Sequence, residues 1–410
     1  MSSNTFQSMN ANFKEIYASK MAQLVPEFLK LIKKIAFSAK DKLGNMYHQP
    51  VIVGQEHGVT FASSDDDAFS LAAPVAGSIK DAKVRGNPLV LRSVLGYAAA
   101  SRAVSGGKEA FESSLKFLVA NMMRSISKKL EIEILYGQAG YGIVKAIDGT
   151  KTIITIDDAE WASGIWAGAE KMPVSFYDVA TSTKHGVDYA VKSVDFEGKK
   201  ITMASAVDAS VAVGDSIFHA GAFGNEFTGI HNILSQTTGT LFDINVADYS
   251  LFKGNVYDAA AAELSFPKLN QALALAVAKG LDGKVVCYIS PKTWADLMSD
   301  QAALRRYDQS FGSVELVNGA TAIKFFSQNG EMEIEPSIYV KEGYAYCLAI
   351  EYFARIGSTD ITFQRPGKGD EFFRDLENSA GYELRAYTDQ AIFCSAPGKS
   401  VLIKNIKNKS

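Results

Sequence analysis

The chain has 410 residues, of which 47% are hydrophobic and 21% charged. This is ordinary globular composition, and it is enough sequence for two or three hydrophobic cores. Its 42 Lys and Arg and its 45 Asp and Glu give a net charge of −3. A typical nucleic-acid-binding protein is strongly basic, so the charge of the whole chain excludes this class. Residues 1–50 differ from the rest, because seven Lys against three acidic residues give them a net charge of 7 − 3 = +4.

The cysteine pattern and the apolar runs bear on where the protein folds. The three Cys, at positions 287, 347 and 394, are widely spaced and stand in apolar, strand-like contexts. We therefore expect buried, reduced thiols and folding in a reducing cytoplasm. The sequence starts without an apolar signal region, and no apolar run approaches the ~20 residues of a membrane span. We expect no membrane contact.

The N-terminal hundred residues predict an arm followed by an extended loop. Residues 12–38 have the spacing of a basic amphipathic helix, with apolar residues on one side and lysines elsewhere. Such a helix suits either an anionic surface or docking to a partner protein. Residues 51–104 alternate short β-capable pieces with Gly, Pro, Ser and Asp. A long connection of this kind predicts a hairpin-like loop that reaches outward to another chain.

Residues 105–142 predict one long amphipathic helix. Ser105 is a suitable N-cap, and Gly137 is a natural stop. From Lys108 to Tyr136 the helix would be roughly 43 Å long. Without a surrounding heptad array, such a helix predicts a spine across which other elements pack. Its core face repeats every three or four residues and consists of Phe111, Leu115, Leu118, Met122, Ile126, Leu130 and Ile134.

The remaining sequence divides into a strand-rich part and a mixed part. Short strands with turn signals over residues 143–222 predict a small antiparallel barrel or sandwich. Residues 266–365 read as mixed α/β, with a helix that ends at Gly280, a buried strand, and a second helix that begins at Pro291. The C-terminal tail reads as one long strand or hairpin that closes the fold.

The order of these elements resembles the major capsid proteins of tailed bacteriophages with the HK97-type fold. The resemblance spans most of residues 50–405. Three blocks carry it: SRAVSGGKEAF followed by LEIEILYGQAGYG at the spine helix, LNQALALAVAKG and VVCYISPKTWADL in the α/β region, and GYELRAYTDQAIFCSAPGKSVLI near the C-terminus.

The resemblance implies an α+β capsid fold with an inserted antiparallel β-domain. It implies the following parts: an N-terminal arm (1–50), an E-loop region (51–104), the P-domain spine helix (105–142), the inserted β-domain (143–224), a P-domain connecting segment (225–265), an A-domain (266–365), and the P-domain return with the C-terminal strands (366–410). In this arrangement the E-loop lies over a neighbouring subunit, the arm reaches another, and the β-domain sits on the outer surface.

The resemblance also implies a function and a set of partners. The function is a shell subunit that forms hexamers and pentamers around double-stranded DNA in a virion assembled in the host cytoplasm. The implied partners are further copies of the chain, a separate scaffolding protein, a portal protein, a decoration protein, and packaged DNA by non-specific contact. Extended arms and loops suit this function, because they bury their surface only against a neighbouring copy.

Charged residues near the loop predict contacts between subunits. The acidic run Asp65, Asp66 and Asp67 could bind a divalent cation, but a solvated or ion-pairing patch is the simpler interpretation. Together with this run, four basic residues are candidate intersubunit contacts: Lys83, Arg85, Arg92 and Arg102. Single exposed pairs are worth about 0–1 kcal/mol, so they matter only when repeated over a shell.

No motif in the sequence predicts catalysis, a cofactor or a metal site. Gly398-Lys399-Ser400 lacks the glycine five residues earlier that a phosphate loop needs, and a strand-like segment follows it. The five His show no ligand spacing. We therefore expect a protein that is not an enzyme. The alternatives are the shell of a cellular nanocompartment of the same fold, an enzyme with a β-domain and an α/β domain, and a surface protein that binds carbohydrate or a receptor.

Overall fold

The structure is a computed structural model. It describes residues 29–38, 42–43, 46–65, 68–96, 108–299, 323–328, 330–364, 373–376 and 380–409. Most of the predicted arm helix lies outside these residues, as do Asp66, Asp67 and Arg102. None of the helices in the described ranges has both the length and the apolar character needed to cross a membrane.

One helix of 29 residues is much longer than the other helices of the described chain. In chain order, the helices are α1 Leu31–Lys34, α2 Lys108–Tyr136, α3 Ser163–Trp166, α4 Ile230–Ser235, α5 Phe266–Val277 and α6 Pro291–Ser299. The strands are β1 Phe37–Ser38, β2 Lys42–Leu43, β3 Met46–Gly54, β4 Ser78–Val84, β5 Asn87–Gly96, β6 Gly142–Ile147, β7 Ile153–Ile156, β8 Pro173–Asp178, β9 Thr183–Asp195, β10 Lys200–Met203, β11 Ser216–His219, β12 Thr240–Leu241, β13 Ile244–Asn245, β14 Asn255–Ala262, β15 Val285–Ile289, β16 Ile323–Ser327, β17 Gly330–Pro336, β18 Ala345–Leu348, β19 Phe353–Thr362, β20 Phe373–Asp375, β21 Gly381–Cys394 and β22 Val401–Ile406.

The long helix α2 packs across a five-stranded sheet. Strand β21 is the centre of this sheet and pairs antiparallel with β5, β19 and β20, while β1 runs parallel to β19. Helix positions Leu118, Met122 and Ile126 are buried against Leu384 and Ala386 of β21. Leu130 and Ile134, further along the same helical face, are buried in the main core. The side chains of Phe111 and Leu115 lie outside the described residues.

The strands between residues 142 and 219 close into a six-stranded barrel. Their order is β10-β7-β6-β11-β8-β9, and every pairing is antiparallel. The sequence left a barrel and a sandwich open, and full closure leaves no strand edge unpaired. Apolar side chains at every second position fill the interior, among them Ile154, Ile156, Val174 and Phe176.

A six-stranded mixed sheet forms the third body, in the order β14-β22-β18-β15-β17-β16. Helices α5 and α6 cover it and share a separate hydrophobic core with it. Cys287 and Cys347 stand directly opposite each other on β15 and β18. Both are buried free thiols, and so is Cys394. The expectation of buried thiols is therefore confirmed.

The C-terminal tail does not form one long strand or a hairpin, and this prediction was wrong. Strand β21 lies in the sheet on the spine helix, whereas β22 lies beside β14 in the six-stranded sheet. A short 3₁₀ turn at Pro397–Lys399 separates them. Proline cannot donate a ladder hydrogen bond, so the strand ends and the chain passes to the second sheet.

Two of the predicted domain boundaries, at residues 265 and 365, also do not match the sheets to which the preceding strands belong. Strand β14 precedes residue 265 but belongs to the six-stranded sheet. Strand β19 precedes residue 365 but belongs to the sheet on the spine helix. The chain thus crosses between the two sheets more often than a linear division into domains allows.

Gly137 directly follows the last residue of helix α2, as predicted, but glycine is required there for a different physical reason. The residue with left-handed backbone after helix α2 is Gln138, at φ 65°, and not Gly137. A Cβ at Gly137 would come within 2.1 Å of the Phe227 carbonyl oxygen. Glycine is required at this position because the backbone of residues 227–229 passes directly against the helix end.

Replacing Gly137 by Ala should therefore destabilise the chain by about 3 kcal/mol, as overpacking against backbone does. Gly149→Ala is the matched control, because nothing lies within 4 Å of its Cβ position. We expect this control to leave stability unchanged or raise it by less than about 1 kcal/mol. Urea denaturation of the unassembled chains measures both values, and equal stabilities for the two variants would contradict this account.

Candidate assembly site

The β3–β4 hairpin and its loop carry the most exposed apolar surface of the described structure. Sixteen large hydrophobic side chains are exposed among the described residues, and eight of them lie between Met46 and Ile79. Phe61 is 92% exposed and Leu71 80% exposed. An apolar surface of this kind marks a site of interaction. The eight residues, which we call the hairpin patch, are Met46, Ile52, Val59, Phe61, Phe69, Leu71, Val75 and Ile79.

The base of this hairpin is fixed to the body of the protein. Ala82 and Val84 are buried in the main core. Lys83 donates its backbone N–H to the Phe242 carbonyl at 2.9 Å, and its Nζ lies 2.8 Å from Asp243 Oδ2. The base is therefore held in place, while the described parts of the loop, residues 55–65 and 68–77, project from it.

The predicted boundaries of the loop shift accordingly. Strand β3 begins at Met46, before residue 51, and β4 was not predicted. Strand β5 leaves the hairpin and pairs with β21 along ten residues of the spine sheet. The projecting element is thus residues 46–84, and not the whole of residues 51–104.

Two of the predicted intersubunit charges are paired within the chain. Lys83 has Asp243 as its partner, and Arg92 Nη2 lies 2.8 Å from Glu383 Oε2. Arg385, which also contacts Glu383, stands directly opposite Arg92 in the sheet. The two guanidinium groups hold the pKa of Glu383 below its ordinary value and would repel each other without it. Lys83 and Arg92 therefore form ion pairs within their own chain.

The other predicted contacts keep their exposure. Arg85 is exposed at the hairpin base, and no hydrogen bond or ion pair joins it to another described residue. Asp65 is exposed in the loop, where the Ser64 hydroxyl donates to it at 3.5 Å. Their role between subunits stays a prediction.

The described end of the arm is bound to the spine helix by one buried carboxylate. Glu131 Oε1 accepts the backbone N–H groups of Lys30 and Leu31 at 2.8 and 2.9 Å, and Oε2 accepts that of Ile32 at 2.9 Å. Burial raises the pKa of Glu131, although these three donors act in the opposite direction. The first turn of α1 is thereby fixed to the C-terminal part of the spine helix α2.

Part of the arm's positive charge is also compensated. Lys34 Nζ contacts Glu335, and Lys30 Nζ lies 3.4 Å from the same carboxylate. These two lysines contribute to the net +4 of residues 1–50. The described part of the arm therefore binds the protein's own β17 strand.

A buried ion pair joins the three bodies, and sequence reasoning missed it. Lys341 Nζ lies 2.6 Å from Glu160 Oε2 and donates to the Gly140 carbonyl at 3.1 Å. Lys341 also donates its backbone N–H to the Tyr136 hydroxyl at 2.8 Å. Tyr344 donates its hydroxyl to Glu160 Oε1 at 2.6 Å. The spine-helix end, the barrel and the six-stranded sheet thus meet at one carboxylate and one ammonium group.

The electrostatics of this junction follow from its burial. Burial alone would raise the pKa of Glu160, but Lys341 and Tyr344 outweigh it, and the pKa lies below its ordinary value. His231 lies beside the pair, with Nδ1 2.9 Å from the Tyr346 hydroxyl. Burial and the nearby Lys341 lower the pKa of His231 to about 4. At neutral pH the junction therefore holds one ion pair and a neutral imidazole.

The described residues offer little for metal chemistry. Within the described ranges, no group of three or more His, Cys, Asp or Glu side chains is arranged to hold a metal ion. The chemistry of the hairpin patch is that of apolar association, and the chemistry of the junction is that of structural support.

Comparisons with known proteins identify the fold. No protein-family model matches the chain, and no curated protein matches it by sequence. The capsid asymmetric unit of cyanophage A-1(L) matches with a TM-score of 0.54 at 11% identity, over 95% of this chain and 98% of that chain. The capsid of cyanophage P-SCSP1u matches at 0.49 and 8% identity, over 97% and 94% of the two chains. The SrpI encapsulin of Synechococcus elongatus matches at 0.44 and 7% identity, over 99% and 97%.

At 11% identity, the first of these similarities shows the fold alone. The chain has the fold of the cyanophage A-1(L) capsid subunit, with mixed helix and strand content. The resemblance predicted from the sequence is therefore confirmed at the level of an HK97-like fold.

Replacing Lys341 by Met should cost about 3–5 kcal/mol, because it leaves the buried Glu160 carboxylate without its positively charged partner. Lys184→Met is the matched control, since Lys184 and Asp188 form an exposed pair worth at most about 1 kcal/mol. Urea denaturation of both variants gives the difference. A loss for Lys341→Met no larger than the control's would show that the junction does not hold the bodies together.

The lowered pKa of His231 predicts acid sensitivity. Unfolded His binds a proton near pH 6.5, whereas folded His231 binds one only near pH 4, so stability present above pH 6.5 is lost as pH falls toward 4. This single group accounts for about 3 kcal/mol over that window.

The measurement compares unfolding free energy against pH for the wild type and His231→Gln. We expect a shallower loss in the variant between pH 6.5 and 4. Burial raises the pKa of Glu133 to about 8, so its contribution to stability increases as the pH falls. This contribution is the same in both proteins and cancels when they are compared. Identical slopes would contradict the assignment.

Proposed function

We propose that this chain is the major subunit of an icosahedral shell of the tailed-phage type. In this proposal, copies assemble as hexamers and pentamers into a virion capsid that encloses double-stranded DNA. Its role is structural and not catalytic. The fold shared with the cyanophage A-1(L) capsid subunit supports this function.

The hairpin patch is the observation that carries the proposal. It projects from a fixed base and holds no core of its own, so its apolar side chains gain contacts only from another molecule. A second copy of the chain is the proposed occupant, because shells built from one chain use such contacts in closed rings. We propose three further partners: a scaffolding protein, a portal protein and a decoration protein. The decoration protein would bind the barrel.

Electron microscopy of the purified, size-fractionated chain tests the proposal. The chain is expressed alone and together with a scaffold-like neighbouring gene. Closed shells tens of nanometres across, or hexameric and pentameric rings, are the expected result. A homogeneous monomer or dimer under both conditions would overturn it. DNA within the shells would support a virion, and enclosed protein cargo would instead indicate a nanocompartment.

The double variant Phe61→Ser, Leu71→Ser should weaken assembly strongly and leave the monomer intact. Burying each side chain at an interface stabilises it by about 1.5–3 kcal/mol, so the concentration needed for assembly should rise more than about tenfold. The thermal stability of the monomer should not change, since both side chains contact mainly solvent.

Val213→Ser is the matched control for this experiment. Val213 is 67% exposed on the barrel, away from the hairpin. Light scattering during assembly compares the three proteins. Normal assembly of the double variant would show that the hairpin patch is not an assembly surface.

A further inference from the structure

A cavity of about 500 Å³ lies between the spine helix and the segment that joins α3 to β8. One wall is formed by helix α2, and the facing wall by residues 168–173, with His219 at the end of β11. The cavity thus lies between the spine helix and the barrel, which are two of the three bodies that meet at the Lys341–Glu160 junction. It is open to solvent on one side, because Asn121 and Ser125 of the helical wall and Glu170 and Lys171 of the facing wall are exposed.

The helical wall of this cavity is entirely polar. Five side chains line it at the 3-4-7-8 spacing of one helical face, opposite in character to the apolar core face of the same helix. They are Asn121, Arg124, Ser125, Lys128 and Lys129. Leu29, Leu91, Ile165 and Tyr339 supply apolar parts of the lining, so the polar chemistry that a ligand would meet comes mainly from this helical face.

The two lysines of this stripe have weak internal partners. Lys129 Nζ contacts the Met172 sulfur at 3.1 Å and lies 5.2 Å from the centre of the Tyr141 ring. Lys128 Nζ donates to the Ala167 carbonyl. Within the described structure neither ammonium group forms an ion pair with a carboxylate, and the only acidic residue in the cavity wall is Glu170. Glu226 and His219 also interact electrostatically with Lys129, and Glu170 interacts with Lys128. Arg124 and Lys171 add two further basic side chains, so basic residues outnumber acidic ones in the described lining.

We propose that this cavity binds a phosphate-class oxyanion, with Lys128 and Lys129 as its principal ligands. A compact oxyanion has several acceptor oxygens, which suits two adjacent ammonium groups together with the hydroxyl of Ser125 and the amide of Asn121. An apolar ligand would leave these donors unsatisfied. The bound anion would join the spine helix to the barrel. The proposal does not depend on the shell function.

The protonation of the lysines gives an independent measurement. Burial lowers the pKa of Lys128 to about 8 and that of Lys129 to about 7. A bound anion favours the charged form of both groups. Binding near neutral pH should therefore take up protons from the buffer, which a purely non-specific surface contact would not do.

The test is calorimetric titration of the unassembled full chain with inorganic pyrophosphate. Titrations in two phosphate-free buffers of different ionisation heat measure proton uptake, and a thermal scan measures the rise in Tm with ligand concentration. We expect saturable binding, net proton uptake and a rising Tm. The absence of saturable binding both of pyrophosphate and of a short DNA duplex would overturn the proposal.

Substitutions locate the site. Lys128→Met and Lys129→Met should each weaken binding at least about tenfold, as loss of a charge-assisted hydrogen bond does. Lys192→Met, at an exposed barrel position, is the matched control and should bind normally. Unchanged affinity in both cavity variants would also overturn the proposal.

A carboxylate placed in the cavity gives a second, opposite test. Glu at position 125 would face Lys129 one helical turn away, in the favourable orientation for such a pair. Ser125→Glu should therefore raise the Tm without ligand and abolish pyrophosphate binding. If this variant still binds pyrophosphate with the wild-type affinity, the ligand lies elsewhere.

A parallel titration with a short DNA duplex identifies the source of the phosphoryl group. Binding of pyrophosphate that the cavity variants lose indicates a free oxyanion. Binding of the duplex alone, lost in the same variants, indicates the nucleic-acid backbone. Duplex binding that is unchanged in those variants, without pyrophosphate binding, contradicts the site.

Discussion

The buried ion pair between Lys341 and Glu160 is the contact on which the arrangement of the protein depends. Its ammonium group, 2% exposed as a side chain, binds the barrel carboxylate and the carbonyl that follows the spine helix. The same residue's backbone binds Tyr136 at the end of that helix. Because an unpaired charge in this position would be costly, the three bodies have one relative placement in which both charges are satisfied.

Around this junction the chain divides into a rigid body and a projecting hairpin. The barrel, the spine sheet and the six-stranded sheet bury their apolar faces internally. The hairpin patch does not, although its base is fixed by Lys83 and by buried Ala82 and Val84. This division suits a subunit that keeps its own shape and supplies an apolar element to a neighbour, which is the arrangement that we propose for the shell.

Local patterns in the sequence predicted the elements better than their partners. The 3.6-residue period predicted the spine helix, and the turn signals predicted the strands of the barrel. The sheet membership of β14, β19 and β22 could not be predicted, because strand pairing is decided by contacts between residues far apart in sequence. The Lys341–Glu160 pair is separated by 181 positions and leaves no local signal. The polar stripe at Arg124, Lys128 and Lys129 was readable from helical spacing, but its cavity depends on the barrel segment that faces it.

The central claim is that the hairpin patch of one copy lies against another copy. A reconstruction of assembled particles by electron cryo-microscopy, at a resolution that shows side chains, tests it most directly. The account predicts that the loop over residues 55–77 is ordered, with Phe61 and Leu71 buried on a neighbouring subunit. A loop that faces solvent, or that folds back onto its own subunit, would contradict the account.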